Sequence, residues 1–362
     1  MDMARFKDWL STVPSKFTRK TCKSGIKFEE FHQKPIESLF QEKDFKRKVD
    51  GIASQNTRND RPRARDFLRG TLQRVRCILY GSGPLDVLGI TLIAALGSMP
   101  NSLRRKFRLA DRLVGSCGNW MVARVVMRVF GVKYKLSDIE SPKIILPQFE
   151  SWMWNYLKPQ EGEVFVDVGA HVGKYTCMIA KMMCQKGFVI AVEPHPANFS
   201  ALVESVKMNH VNNVWVLNIA AYSVDRKLPM FVGDMSGHHS LVTDMGCGTI
   251  QITARRLDDV ILDRVDRVDW VKIDVEGAEL EVLKGMTEVL QRYRPSLIIE
   301  LWKRNETDVV LLLSNAGYKV WTINEEPDSD SKHIFARKSR LESTDLIDRH
   351  LSIQAQRFPL KA

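Results

Sequence analysis

The chain has 362 residues, 44% hydrophobic and 27% charged, with a net charge of +11. That composition builds folded cores and excludes a disordered, collagen-like or membrane-embedded chain. The charge is uneven: residues 1–150 hold 29 Lys and Arg against 15 Asp and Glu, while residues 151–362 hold 25 against 28. Six cysteines with no C-x-x-C and no zinc-type spacing to histidine exclude a disulfide framework and fit a reducing, cytoplasmic compartment.

Residues 1–142 read as a basic, mainly helical N-terminal region, part of it loosely ordered. The first 20 residues lack the apolar core of a secretory signal, although Phe6, Trp9 and Leu10 share one helical face. RNDRPRARDFLR at 58–69 is basic but poor in aromatics, which argues against a stacking platform for nucleic acid. DVLGITLIAALGSM, Asp86 to Met99, is shorter than the roughly 20 residues that span a bilayer, and reads as a buried helix. RRKFR at 104–108 follows it and suits peripheral membrane contact. Gly118 to Lys135 reads as an apolar, basic helix running into a short strand or turn at Gly131. Phe149, Trp152, Met153 and Tyr156 recur at helical spacing, predicting an amphipathic helix over 149–157.

From 143 to 338 strands and helices alternate, the pattern of a parallel sheet. Val164-Phe165-Val166-Asp167-Val168 reads as a strand buried on both faces, followed by Gly169-Ala170, Gly173 and a helix over 174–186. The spacing D-x-G-A-x-x-G is neither a dinucleotide fingerprint nor a phosphate loop. It brings backbone and a helix start close to a ligand, and the carboxylate at the strand end, Asp167, suits one that carries an amino or sulfonium charge. A second buried strand, Phe188 to Val192, ends in Glu193, which is placed to accept both hydroxyls of a ribose. Pro196 to Asn209 is a helix and Val214 to Leu217 a third strand, with Asn218, Ile219, Ala220 and Ala221 at its tip. KLPMFVG and GTIQITARR then flank a loop holding His238, His239 and Ser240, a predicted β-hairpin over the crevice. Val268 to Val275 is a fourth strand ending at Asp274 and Glu276, whose alternation places both carboxylates on one side. Ser296 to Trp302, bearing Glu300, is a fifth strand; Tyr318–Ile323 and His333–Arg337 are an antiparallel sixth and seventh. Residues 339–362 form a polar tail.

DVGAHVGKYT, AVEPHPANFSALVESVKMN, NIAAYS and VKIDVEGAELEVLKG together resemble the FkbM family of S-adenosylmethionine-dependent methyltransferases, over about residues 161–338. The resemblance implies an α/β, class I (Rossmann-like) fold: a seven-stranded, mostly parallel sheet with helices on both faces. It implies methyl transfer to a hydroxyl of a sugar, glycan or natural product. It assigns S-adenosylmethionine as methyl donor, and the matching positions for binding it are Asp167, Gly169, Ala170, Gly173, Glu193, Asn218 and Ala220.

An alkyl hydroxyl is a poor nucleophile, so the reaction needs a carboxylate or imidazole within reach. Asp274 and Glu276 are the first candidates for base or acceptor orientation, followed by His239 and Glu300. The same pair suits a divalent cation, but no third ligand sits at a recognisable spacing, so no metal is assigned. A nucleic-acid methyltransferase is the alternative raised by the basic region; the absence of an N-P-P-Y or D-P-P-Y run after the fourth strand counts against it. A binding protein on an inactive methyltransferase fold is the other alternative, and the intact cofactor positions count against that.

Overall fold

The computed structural model describes residues 80–338, apart from 84–85, 88–90, 92–123, 139–140, 234–235, 245 and 327–328. The expectations for residues 1–79 and the C-terminal tail, and most of those for 86–99 and 104–123, therefore lie outside the described residues.

Strands β1 (Val126–Val129) and β2 (Val132–Lys135) pair antiparallel across a turn at Phe130-Gly131. The helix expected to run into Gly131 is thus a strand by Val126: β-branched residues alternate here between a buried and a half-exposed or exposed face. Helix α1 (Ser141–Ile145) follows, then a 3-10 turn at Ser151–Asn155 in place of the longer helix expected over 149–157. Strand β3 (Val164–Val168) leads into α2 (Lys174–Met182), β4 (Phe188–Val192) into α3 (Pro196–Met208), and then comes β5 (Val214–Leu217). A small sheet interrupts the alternation, made of β6 (Ala220–Ala221), β7 (Arg226–Phe231) and β8 (Thr249–Arg255), the last two forming the expected hairpin. Helix α4 (Leu257–Ile261) and strand β9 (Trp270–Ile273) return the chain to the main sheet. Helices α5 (Glu279–Lys284) and α6 (Thr287–Arg292), strand β10 (Ser296–Trp302), helix α7 (Glu306–Asn315) and strands β11 (Tyr318–Glu325) and β12 (Ser331–Lys338) complete it.

The main sheet has the order β11-β12-β10-β9-β3-β4-β5, and within it β12 runs antiparallel to both its neighbours. This is the class I methyltransferase arrangement. Alternation along each strand divides the core in two. Val164, Val166, Val168, Ile190 and Ile299 pack under α4 to α7, while Phe165, Val189, Ala191 and Ile298 pack under α2 and the 3-10 turn. Among the described residues no helix is long and apolar enough to cross a membrane.

The β1–β2 hairpin belongs to this body. Its backbone N–H groups at Lys133 and Lys135 donate to Asn209 Oδ1 and Ser205 Oγ of the α3 segment, each at 2.9 Å. Met127, Val129 and Tyr134 pack with Val172, Cys177 and Ala201. The boundary expected at 142 therefore runs through packed structure. Tyr134 is fully buried and its hydroxyl donates to the Lys174 carbonyl, so Tyr134→Ala is expected to cost about 3–5 kcal/mol, read from urea unfolding.

Candidate active site

The C-terminal tips of the parallel strands open into a cavity of about 810 Å³. At one end lies the glycine turn. Gly169 has φ +81°, and a Cβ there would overlap the carbonyl oxygen of Asp274, so the exits of β3 and β9 touch backbone to backbone. Glu193 stands just beyond β4. Its Oε2 accepts the His171 N–H at 2.8 Å and its Oε1 the His195 N–H at 2.9 Å. Each oxygen keeps a further lone pair, the arrangement a vicinal diol needs. Burial pushes the carboxyl up to about 7. Ala220 and Ala221 form an adjacent small-residue wall.

The other end is acidic. Asp274 pairs with the buried Lys272 at 2.8 Å. Burial opposes the charge on Lys272, but Asp274, Asp167 and Glu150 override it and raise its pKa. Glu276 adopts φ +51°, and burial, then the Asp274 and Glu279 charges, push its carboxyl up to about 8. Burial and the neighbouring Asp274 likewise hold Glu300 well above the usual carboxylate range, while its Oε1 accepts the Ser331 hydroxyl at 2.8 Å. Glu150 accepts the Tyr175 hydroxyl at 2.7 Å. Burial alone would raise its pKa, but His333, Lys174 and Lys272 hold it low.

The hairpin loop covers the cavity through Ser236. Its N–H and hydroxyl donate to the two oxygens of Asp138, at 2.7 Å each, and its carbonyl accepts Asn198 Nδ2 at 2.9 Å. The hydroxyl proton is committed to Asp138, so the 2.8 Å contact with His171 Nε2 has the imidazole donating. Beside it His195 and His239 stack with centroids 3.9 Å apart. His239 Nδ1 accepts the Gly233 N–H at 3.1 Å, and burial and the neighbouring imidazoles lower its pKa to about 4.

Comparison with known proteins agrees with this architecture. Residues 167–320 match the methyltransferase FkbM domain. Hexuronic acid methyltransferase AglP of Haloferax volcanii is 30% identical over 174 residues, 47% of this chain and 70% of that protein. The chain belongs to the FkbM methyltransferase family. Methyltransferase sdnD of Sordaria araneosa is 23% identical over 222 residues, 52% of this chain and 85% of the relative. A solved FkbM methyltransferase from Methylobacillus flagellatus aligns with a TM-score of 0.39 and 17% identity, covering 75% of this chain and 60% of that one.

Within this FkbM chain the expected residues fall into two groups. Gly169, Glu193, Ala220, His239, Asp274, Glu276 and Glu300 line the cavity. Asp167, Ala170, Gly173 and Asn218 do not. Asp167 is buried below the turn, where it accepts the Thr176 hydroxyl at 2.6 Å. Ala170 donates its N–H to the Val192 carbonyl, and Gly173 lets α2 pack against Leu202. Asn218 donates to the carbonyls of Glu193 and Pro194, which fixes the backbone behind Glu193. Strand β9 ends at Ile273, so Asp274 and Glu276 are not alternate residues of a strand; the left-handed backbone at Glu276, not strand alternation, turns the chain at the cavity wall. His171, Ser236, Asp138, Glu150 and His333 went unread in the sequence. Asp138 and Ser236 are 98 positions apart, and no local spacing announces such a contact.

Glu276 also gives a pH signature. The folded chain keeps a proton that the unfolded chain releases above 4.5, so stability falls as pH rises from 4.5 to about 8. Glu276→Gln is expected to flatten part of that slope and to be more stable than the parent at pH 8, as urea unfolding at pH 5 and pH 8 would show.

Proposed function

We propose that this chain is an S-adenosylmethionine-dependent methyltransferase acting on a hydroxyl oxygen of a sugar, glycan or natural-product acceptor. The observation that carries this reading is the division of one cavity into a diol-accepting end at Glu193 and a carboxylate end at Asp274 and Glu276. AglP is named for methylating a hexuronic acid, which supports a sugar-type acceptor. A volume of about 810 Å³ suits a nucleoside together with a small acceptor.

When bound, S-adenosylmethionine supplies an electrophilic methyl group on a cationic sulfur. Glu193 would hold its ribose hydroxyls, and Ala220 and Ala221 would let the flat base lie against backbone. The transfer is an in-line displacement, so the chain mainly aligns the acceptor and removes its proton. Glu276 is the group proposed to take that proton: a carboxyl held near 8 is a stronger base than an ordinary glutamate. Asp274, fixed by Lys272, orients the acceptor hydroxyl. His239 has its Nδ1 occupied by the Gly233 N–H, which leaves Nε2–H as a donor and suits positioning rather than proton removal.

Glu193→Ala should weaken S-adenosylmethionine binding by about 2–3 kcal/mol in calorimetry, the scale of hydrogen bonds to a charged group. Glu276→Gln should lower kcat by about 10²–10⁴-fold with cofactor affinity retained. Normal turnover by both Glu276→Gln and Asp274→Asn at saturating cofactor would remove the chemistry from this pair.

A further inference from the structure

An amphipathic helix over 149–157 would bury Trp152 in one stripe with Met153 and Tyr156. The 3-10 turn at Ser151–Asn155 breaks that stripe. Met153, Trp154 and Tyr156 sink into the core, while Trp152 stays half-buried, packed on the core at one side and lining the cavity at the other. Its ring stands steeply against that of His333, with centroids 4.6 Å apart. Strand pairing places the polar groups around it. His333 on β12 is the register partner of Asn324 on β11, so the two side chains share one face of the sheet. A bulge between Thr322 and Asn324 shifts the register just before this pair. Thr322 and Ile323 are both buried, and Asn324 emerges on the cavity wall. Gln148 joins the same cavity from the segment that enters the turn. Neither the Asn324 nor the Gln148 amide makes a side-chain hydrogen bond among the described residues.

A wall with one aromatic plane and unpaired amides selects an acceptor divided in the same way. A pyranose has that division: C–H bonds cover a face of its ring, and the hydroxyls around its rim both donate and accept hydrogen bonds. The ring face covers the indole, as apolar surface packs on an aromatic plane, and the hydroxyls pair with the amides. A flat aromatic natural product would match the indole alone and leave both amides desolvated without partners, at a cost. Position agrees. In the sheet β12 lies two strand steps from β9, whose exit carries Asp274, or about 10 Å, a gap that one hexose and its contacts bridge. It lies four steps from β4, or about 19 Å, which keeps the indole beside His333 clear of the nucleoside end at Glu193.

We infer that Trp152 is the platform on which a pyranose ring of the acceptor stacks, with Asn324 and Gln148 holding its hydroxyls, so that the substrate class is a glycoside rather than an aromatic natural product. This rests on the methyltransferase reading above and narrows its acceptor.

The test uses the full chain saturated with S-adenosylhomocysteine, titrated calorimetrically at pH 7. The probes are the methyl glycosides of glucose, galactose, mannose and glucuronic acid, with p-cresol as the flat aromatic control. The best glycoside is expected to bind more tightly than p-cresol. Trp152→Ala should weaken that glycoside by about tenfold, and Trp152→Phe, which keeps a ring, by no more than about threefold. Asn324→Ala should weaken it by about fivefold and leave p-cresol binding unchanged. S-adenosylhomocysteine affinity should stay within about twofold in all three variants. Folding of each variant is checked by thermal unfolding; where Trp152→Ala does not fold, Trp152→Leu, which keeps apolar bulk without the ring, decides. Glycoside binding that survives loss of the ring overturns the inference, as does failure of all four glycosides to bind. Equal or tighter p-cresol binding overturns it in favour of an aromatic acceptor. Loss of S-adenosylhomocysteine affinity in folded Trp152→Phe overturns it by assigning the indole to the cofactor. If the parent chain fails to bind S-adenosylhomocysteine at all, the methyltransferase reading falls and this inference with it; bound S-adenosylhomocysteine without dependence of glycoside binding on Trp152 fells this inference alone.

Discussion

The exits of β3 and β9 come together only because Gly169 has no side chain. With a Cβ excluded, the Asp274 carbonyl lies against the turn, and the two carboxylates that follow β9 are brought to the same crevice as Glu193. Any larger residue at 169 must push the β9 exit away, and with it one end of the cavity. The glycine is therefore less a ligand contact than the hinge-pin of the whole sheet edge. Its own N–H, like that of Ala170, is spent on the Val192 carbonyl, which locks the turn to β4 as well.

Around that pin the chain tolerates an expensive concentration of charge. Lys272 is buried between carboxylates and answers three of them, Asp274, Asp167 and Glu150. At Glu276 burial and the Asp274 and Glu279 charges outweigh Lys272, at Glu300 burial and Asp274 prevail, and both hold protons that ordinary glutamates release. Holding those protons costs folding stability wherever the unfolded chain would release them.

Much of the frame was legible because its signals are local. The buried runs at Val164–Val168 and Phe188–Val192 are continuous and β-branched, and the glycines and Pro196 mark where helices begin. Glu193 was legible for the same reason, as a strand-end acid at a fixed distance from the turn. Short elements were not: apolar spacing over 149–157 fits a helix, yet the chain there makes a 3-10 turn, and 126–135 pairs as a hairpin whose partner is α3. Periodicity cannot report which distant element will claim a face. The Asp138–Ser236–His171 chain and the grouping of Glu150, Glu300 and His333 were invisible for a related reason, since each joins segments that only the folded sheet brings together.

His171 has two employers. Its backbone N–H holds Glu193, and its ring holds Ser236, the residue that fastens the hairpin loop over the crevice. A disturbance at Glu193 thus reaches the covering loop through a single residue, without crossing the sheet. The position of the acid at the tip of β4 and the seating of the hairpin loop are therefore mechanically linked through one side chain and its own backbone.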